Sequence, residues 1–310
     1  MIDSRTPHGA IAQVVARFVR NEQVTGSSPV SSTRCSMFQP CPVPYAGCRS
    51  GWGRRQGSGY PSSHCVTQIL SVVLVRLDGM TKLTPLTLQA FLASATVFAA
   101  DLSGKSLPDL YGTTDGKAVG TKVEAMFKEY LKERFDLTVG NAASGLDLPS
   151  INTDLKVTSA RQPQSSCPFS DATQKVYGLG YNLMVFVYIK SDDHDTRAAY
   201  LDIQHVIFID KTRTGDFTLT RQVREIIARS KSEAQGPDAI VDDLDALLED
   251  KNIPLDEVSR RQLASRLVDE QPELGVLTIS NALQWRLQYS HAISMAEAKS
   301  FEHEVVDLRA

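Results

Sequence analysis

The chain has 310 residues, 42% hydrophobic and 22% charged, with a formal net charge of −3. That supplies a sizeable core for one or two domains. No apolar run approaches the length that a helix needs to span a bilayer. The near-balanced charge neither supports nor excludes a nucleic-acid partner.

The charge is unevenly spread. Residues 1–79 hold eight arginines, no lysine and only Asp3, Glu22 and Asp78 as acids, a balance of +5 against −8 for the remainder. They also hold Cys35, Cys41, Cys48 and Cys65 without any C-x-x-C pair, so the zinc signal is weak even with His64 beside Cys65. The run RNEQVTGSSPVSSTR (residues 20–34) resembles the product of a transfer-RNA gene translated by mistake. Residues 1–79 are therefore expected to be a spurious, disordered extension, with the evolved product starting near Met80.

From Met80 onward, Leu88, Phe91, Leu92, Ala95, Phe98 and Ala99 recur at helical spacing, with Thr84 as the expected N-cap and Pro85 as the first helical residue. Thr87, Gln89, Ser94 and Thr96 interrupt the apolar run, which favours a cytoplasmic amphipathic helix over a signal peptide. Val119, Val123, Met126, Phe127, Tyr130 and Leu131 predict a second helix over 117–135, and FDLTVG then reads as a short strand. DLKVT (154–158) predicts another strand, which Pro163 and Pro168 prevent from continuing. A short helix is expected within 170–180, ending near Gly178 and Gly180. NLMVFVYI (182–189) reads as a strand buried on both faces, and AYLDIQHVIFID (199–210) as another. From residue 217 the pattern reads as helices only, ISNALQWRLQYSHAI among them. The expected fold is α/β (α+β): a mixed central sheet flanked by helices over 80–216, with a helical subdomain over 217–310 for DNA recognition or dimerisation.

Asp154 and Lys156 lie two positions apart, so in a strand they project from one face while Leu155 and Val157 anchor the other. Asp147, seven positions earlier, can return to meet them. Hydrolysis of a phosphodiester needs an activated water and neutralisation of charge on the phosphoryl oxygens. Mg²⁺ held by one or two carboxylates supplies both, and a nearby lysine assists.

D-x(6)-D-x-K, set between a helix and a buried strand, resembles the PD-(D/E)xK nuclease superfamily. QPQSSCPF, YGLGYNLMVFVY and LTISNALQWRLQY are similar to type II restriction endonucleases within it, over roughly residues 117–291. The resemblance implies that Asp147 and Asp154 are metal ligands, that Lys156 is the catalytic lysine, and that Glu124 on the preceding helix is a further ligand. Gly120, one turn earlier, is expected to let that helix approach the sheet. Gln174 is a supporting candidate near the scissile phosphate. Leu146 stands where the pattern has proline. The same resemblance implies Mg²⁺-dependent, site-specific cutting of double-stranded DNA, a homodimer and a cognate DNA methyltransferase. A repair or junction-resolving nuclease on the same core, or a non-catalytic DNA-binding protein, stays open as an alternative.

Other groups carry less. His194 and His205 with Asp192, Asp193 and Asp195 read as a solvated hairpin turn, and Cys167 has no histidine at a diagnostic spacing. No Walker loop or dinucleotide fingerprint occurs. Lys117, Lys122, Arg161, Lys175, Arg221 and Arg224 are candidates for phosphate contacts. In SNALQWRLQYSHA, helical spacing places Asn281, Gln284, Gln288 and His291 on one arc as a base-reading face, with Trp285 at the boundary; Arg286, on the mainly apolar arc, is a further DNA-binding candidate.

Overall fold

The computed structural model describes residues 83–137, 146–167, 171–280 and 285–309. The expected spurious extension, Asn281 and Gln284 lie outside the described residues.

Strand β1 (Thr84–Pro85) pairs in parallel with β2 (Phe135–Asp136), so Thr84 and Pro85 do not open the first helix as expected. Helix α1 (Leu88–Ser103) starts three residues later, because the Thr87 side chain accepts the Ala90 N–H and caps it. Helix α2 (Gly116–Lys132) is capped by Asp115, which accepts from the Lys117 N–H. Phe91 and Phe98 of α1 meet Phe127 of α2 at ring-centroid distances of 5.7 and 4.8 Å. Phe186 closes the cluster edge-on, 5.2 Å from Phe127.

Strand β3 (Thr153–Ser159) leads through β4 (Gln164–Ser166) and the short helix α3 (Gln174–Tyr177) to β5 (Asn182–Asp193). β3 and β5 pair in parallel, and this intervening segment makes the crossover that parallel pairing needs. Strand β6 (Ala198–Ile209) returns antiparallel to β5. Near the C-terminus, β9 (Val305–Asp307) adds to the far edge of β6, giving the order β3-β5-β6-β9.

The alternation within β5 shows how this sheet is buried on both faces. Met184, Phe186 and Tyr188 pack against α1 and α2, whereas Leu183, Val185 and Val187 face a second layer. That layer holds a smaller antiparallel sheet of β4, β7 (Thr278–Ser280) and β8 (Arg286–Gln288), together with helix α7 (Ser290–Glu297).

Helices α4 (Phe217–Ser232), α5 (Pro237–Asp250) and α6 (Glu257–Asp269) answer the helical reading of the C-terminal part. Beyond them the helices-only expectation fails, since β7, β8 and β9 all follow. In particular, where a helix was expected over ISNALQWRLQYSHAI, the described residues from 285 onward form β8 and then α7. Tertiary burial explains the change: Trp285, Leu287 and Tyr289 alternate into the core with a period of two.

Asp216 joins these parts. One carboxylate oxygen caps α4 at the Leu219 N–H (2.8 Å), and the other accepts the Ile279 N–H of β7 (2.8 Å). The two backbones cross closely beside it: a Cβ on Gly275 would lie 2.1 Å from the Gly215 carbonyl oxygen, so only glycine fits there. Gly120 is less constrained than expected, because a Cβ there would make ordinary contact with Val157 at 3.6 Å.

Phe127 fixes α2 against the central sheet and is fully buried. Phe127→Ala is expected to cost about 3–5 kcal/mol, read from the urea midpoint. A loss below about 1 kcal/mol would show that the aromatic cluster does not hold this helix.

Candidate active site

The D-x(6)-D spacing is explained by one tight turn. Leu148 and Thr153 pair through two backbone hydrogen bonds of 3.0 and 3.1 Å, across a 3₁₀ turn at Pro149–Ile151. Asn152 closes the turn in the left-handed region (φ 48°), which asparagine tolerates better than most residues. Its side-chain amide donates to the Gly180 carbonyl oxygen (2.9 Å), fastening the turn to the segment that enters β5. Leu148 is fully buried and anchors it from below.

This turn brings Asp147 back alongside β3. The strand lies at the edge of its sheet, so it has unpaired donors on its outer side. One Asp147 oxygen accepts the Leu155 N–H there at 3.0 Å. The other accepts from Lys128 Nζ at 2.5 Å. Asp154, 4% exposed, shares a hydrogen bond with the Asp147 carboxyl and pairs with Lys156 Nζ at 2.6 Å. Asp147, Asp154 and Lys156 are thus brought together as expected.

The electrostatics follow from crowding acids out of water. Burial raises the Asp154 carboxyl, and Asp147 adds to that, while Lys156 opposes it. For Asp147 burial also works upward, but the bonds from Lys128, Asp154 and the Leu155 amide outweigh it and hold it below its ordinary value. Burial alone would lower Lys156, yet Asp154, Glu124 and Asp147 keep it above the usual lysine value. On α2, burial and then the Asp147 carboxylate push Glu124 up to about 7.

Two hard, adjacent carboxylates suit Mg²⁺, which binds through one or two of them and retains waters. Among the described residues, no three His, Cys, Asp or Glu side chains gather as a metal cage. Glu124 therefore lies within electrostatic reach of the pair without forming a three-acid cluster with it.

Lys128 is the site residue that sequence reasoning missed. Its signal was its position four residues after Glu124, on the same face of α2. The Gln174 side-chain amide donates to the Leu179 carbonyl oxygen at 3.2 Å, where it braces the end of α3. Arg286 is exposed on β8 and Gln288 half-buried on the same strand, while Trp285 is buried rather than at a helix boundary.

Behind the pair stand two phenols, Tyr289 buried and Tyr181 half-buried. Tyr289 hydrogen-bonds Ser165 at 2.5 Å, and Tyr181 lies 3.7 Å from Cys167 Sγ. Burial first, with Asp154 and Cys167 contributing, raises both tyrosines, which keeps them protonated. The Cys167 thiol is likewise raised by burial, in keeping with the expectation that it is no nucleophile. His194 hydrogen-bonds Tyr111 (2.7 Å) and His205 pairs with Asp307 (2.8 Å), so the two histidines serve different contacts. Of the expected phosphate-binding cations, Lys175 is buried, Lys122 pairs with Asp109, and Arg224 donates to the Pro272 carbonyl oxygen.

The raised Glu124 sets a pH dependence in metal-free buffer. Its carboxyl ionises near the ordinary 4.5 in the unfolded chain but at about 7 when folded, so native stability falls as pH rises through that window. Glu124→Gln is expected to stabilise the metal-free protein by about 1–3 kcal/mol at pH 8, with the gain vanishing as pH falls below the window. Urea midpoints measured across pH check this, and a gain independent of pH would contradict it.

A family model described as type II restriction enzyme NspV matches residues 85–302. Over 214 residues the chain is 48% identical to the type II restriction enzyme NspV of Nostoc sp. (strain ATCC 29411 / PCC 7524), covering 69% of this chain and 94% of that protein. No solved structure matches it. With most of its length matched by the family model and by that relative, the chain belongs to the NspV family of type II restriction enzymes.

Proposed function

We propose that this family member hydrolyses double-stranded DNA at one short sequence in a Mg²⁺-dependent reaction, on the carboxylate pair Asp147 and Asp154. The carrying observation is that pair itself, held together by the Leu148–Thr153 turn with Lys156 at 2.6 Å from Asp154. The arrangement supports placing the chain in the PD-(D/E)xK superfamily.

Asp147 and Asp154 would hold the ion, with Glu124 supporting from α2. Bound Mg²⁺ supplies Lewis-acid polarisation of the phosphodiester and eases deprotonation of water. Lys156 shares the strand face with Asp154, where its ammonium orients the attacking water and offsets charge on the phosphoryl oxygens. The Leu155 N–H fixes one Asp147 oxygen, so that carboxylate is positioned before DNA arrives. Lys128 balances Asp147 and contributes a second cation facing the DNA backbone. Gln174 acts indirectly, by bracing the segment between β4 and β5.

Products with a 5′-phosphate and a 3′-hydroxyl, a homodimer that cuts both strands of a symmetric site, and a cognate methyltransferase that protects host DNA complete this reading. So does a cytoplasmic location; among the described residues, no helix is long and apolar enough to cross a membrane. Residues 1–79 take no part, in keeping with a family match that begins at residue 85.

The test is digestion of a plasmid of known sequence with purified protein and Mg²⁺, followed by sequencing of the fragment ends. Ends at one recurring sequence are expected, and random ends or none would overturn the reading. Asp154→Ala and Lys156→Ala should each lower the cleavage rate by about a thousandfold or more while DNA binding persists. Near-native cutting by either would place the chemistry elsewhere. A chain starting at Met80 should cut as the full chain does; its failure to fold or cut would give residues 1–79 a function.

A further inference from the structure

The small sheet of β4, β8 and β7 has two unlike faces. Inward, Leu287 and Ile279 are buried and Ser165 hydrogen-bonds the buried Tyr289. Alternation sends the other side chains outward in two cross-strand rows: Gln164, Gln288 and Thr278 in one, then Ser166, Arg286 and Ser280 in the next. Ser166, Arg286 and Thr278 are exposed, and the other three are half-buried. These six positions hold two amides, three hydroxyls and one guanidinium, with no carboxylate and no aliphatic group. An ordinary solvated face in a chain with 36 Asp and Glu would carry some of those acids. Its chemistry offers donors and acceptors with one positive charge, which complements DNA.

The face is also rigidly tied to the carboxylate pair. Thr158, on the strand that carries Asp154 and Lys156, accepts the Gln164 N–H at 3.0 Å, and its hydroxyl lies 3.0 Å from the Gln164 carbonyl oxygen. From behind, buried Tyr289, the residue that follows β8, hydrogen-bonds Ser165 of β4 and lies close enough to Asp154 to feel its charge.

We propose that this outer face reads the DNA sequence: Gln164 and Gln288 meet base edges in the major groove, and Arg286 meets a guanine. A pair of β-strands fits that groove, glutamine can pair bidentately with adenine, and arginine with the O6 and N7 atoms of guanine. The inference rests on the cleavage activity proposed above. It replaces the helical reading surface with a strand surface, retaining Arg286 and Gln288 and adding Gln164.

The test compares the full-length native protein with Gln164→Ala, Arg286→Ala and Gln288→Ala. Fragment-end sequencing defines the native site. The kcat/KM for a duplex with that site is then compared with values for duplexes altered at each base pair. The expected result is that at least one variant loses discrimination at a particular base pair by about 10- to 100-fold, with its thermal unfolding unchanged. If a variant unfolds, Gln288→Asn or Gln164→Asn shortens the reach while keeping the amide. Unchanged discrimination by all folded variants would overturn the proposal, as would weaker binding that is uniform over every sequence, since that marks backbone grip. A native protein that cuts no DNA would defeat the cleavage reading first. A native protein that cuts specifically, beside variants of unaltered specificity, would defeat this inference alone.

Discussion

Two carboxyl groups crowded together, Asp154 buried and Asp147 half-buried, are unfavourable, and their surroundings are organised around that constraint. Two unit charges about 4 Å apart repel by about 4 kcal/mol at an effective dielectric near 20. Lys128 and Lys156 offset this from opposite sides, one paired with each acid. The backbone contributes through the Leu155 N–H, and the shared hydrogen bond between the carboxyls removes part of the remaining repulsion. Under the function proposed above, this pair would exchange its ammonium partners for a divalent cation.

The layers of the fold follow from this need. β3 can present Asp154 and Lys156 because Leu155 is buried against α1 and α2 on its other face. Helix α2 is placed by the Phe91, Phe98, Phe127 and Phe186 cluster, and that placement brings Glu124 and Lys128 to the carboxylates. On the opposite face, the small sheet and its tyrosines exclude water from behind Asp154 while turning a polar surface outward. Core packing therefore sets both the electrostatics of the pair and its distance from the proposed reading surface.

Much of this was legible before any coordinates. The continuous apolar run of β5 and the two-residue step from Asp154 to Lys156 mark the central strands and the face those two side chains share. The seven-residue return from Asp147 was readable as a possibility. The turn that realises it depends on Leu148 burial and the left-handed Asn152, which are tertiary facts. Lys128 escaped because a lysine on an amphipathic helix is ordinarily a solvent residue, and only α2 docking gives it Asp147 as partner. The 285–289 stretch was misread for a different reason. Trp285, Leu287 and Tyr289 against Arg286 and Gln288 form a five-residue alternation, but the run of helices before it favoured a helical period. A three-residue strand such as β4 or β7 leaves too little pattern to compete with its neighbours.

The pair's capacity to hold a divalent ion is best tested by anomalous X-ray diffraction from crystals of the full chain soaked in Mn²⁺. A Mn²⁺ peak within bonding distance of oxygens from both Asp147 and Asp154, with Lys128 Nζ displaced from its carboxylate, is the predicted result. Ordered carboxylates with no peak between them, or a peak only at the distant Asp192–Asp195 turn, would contradict the account.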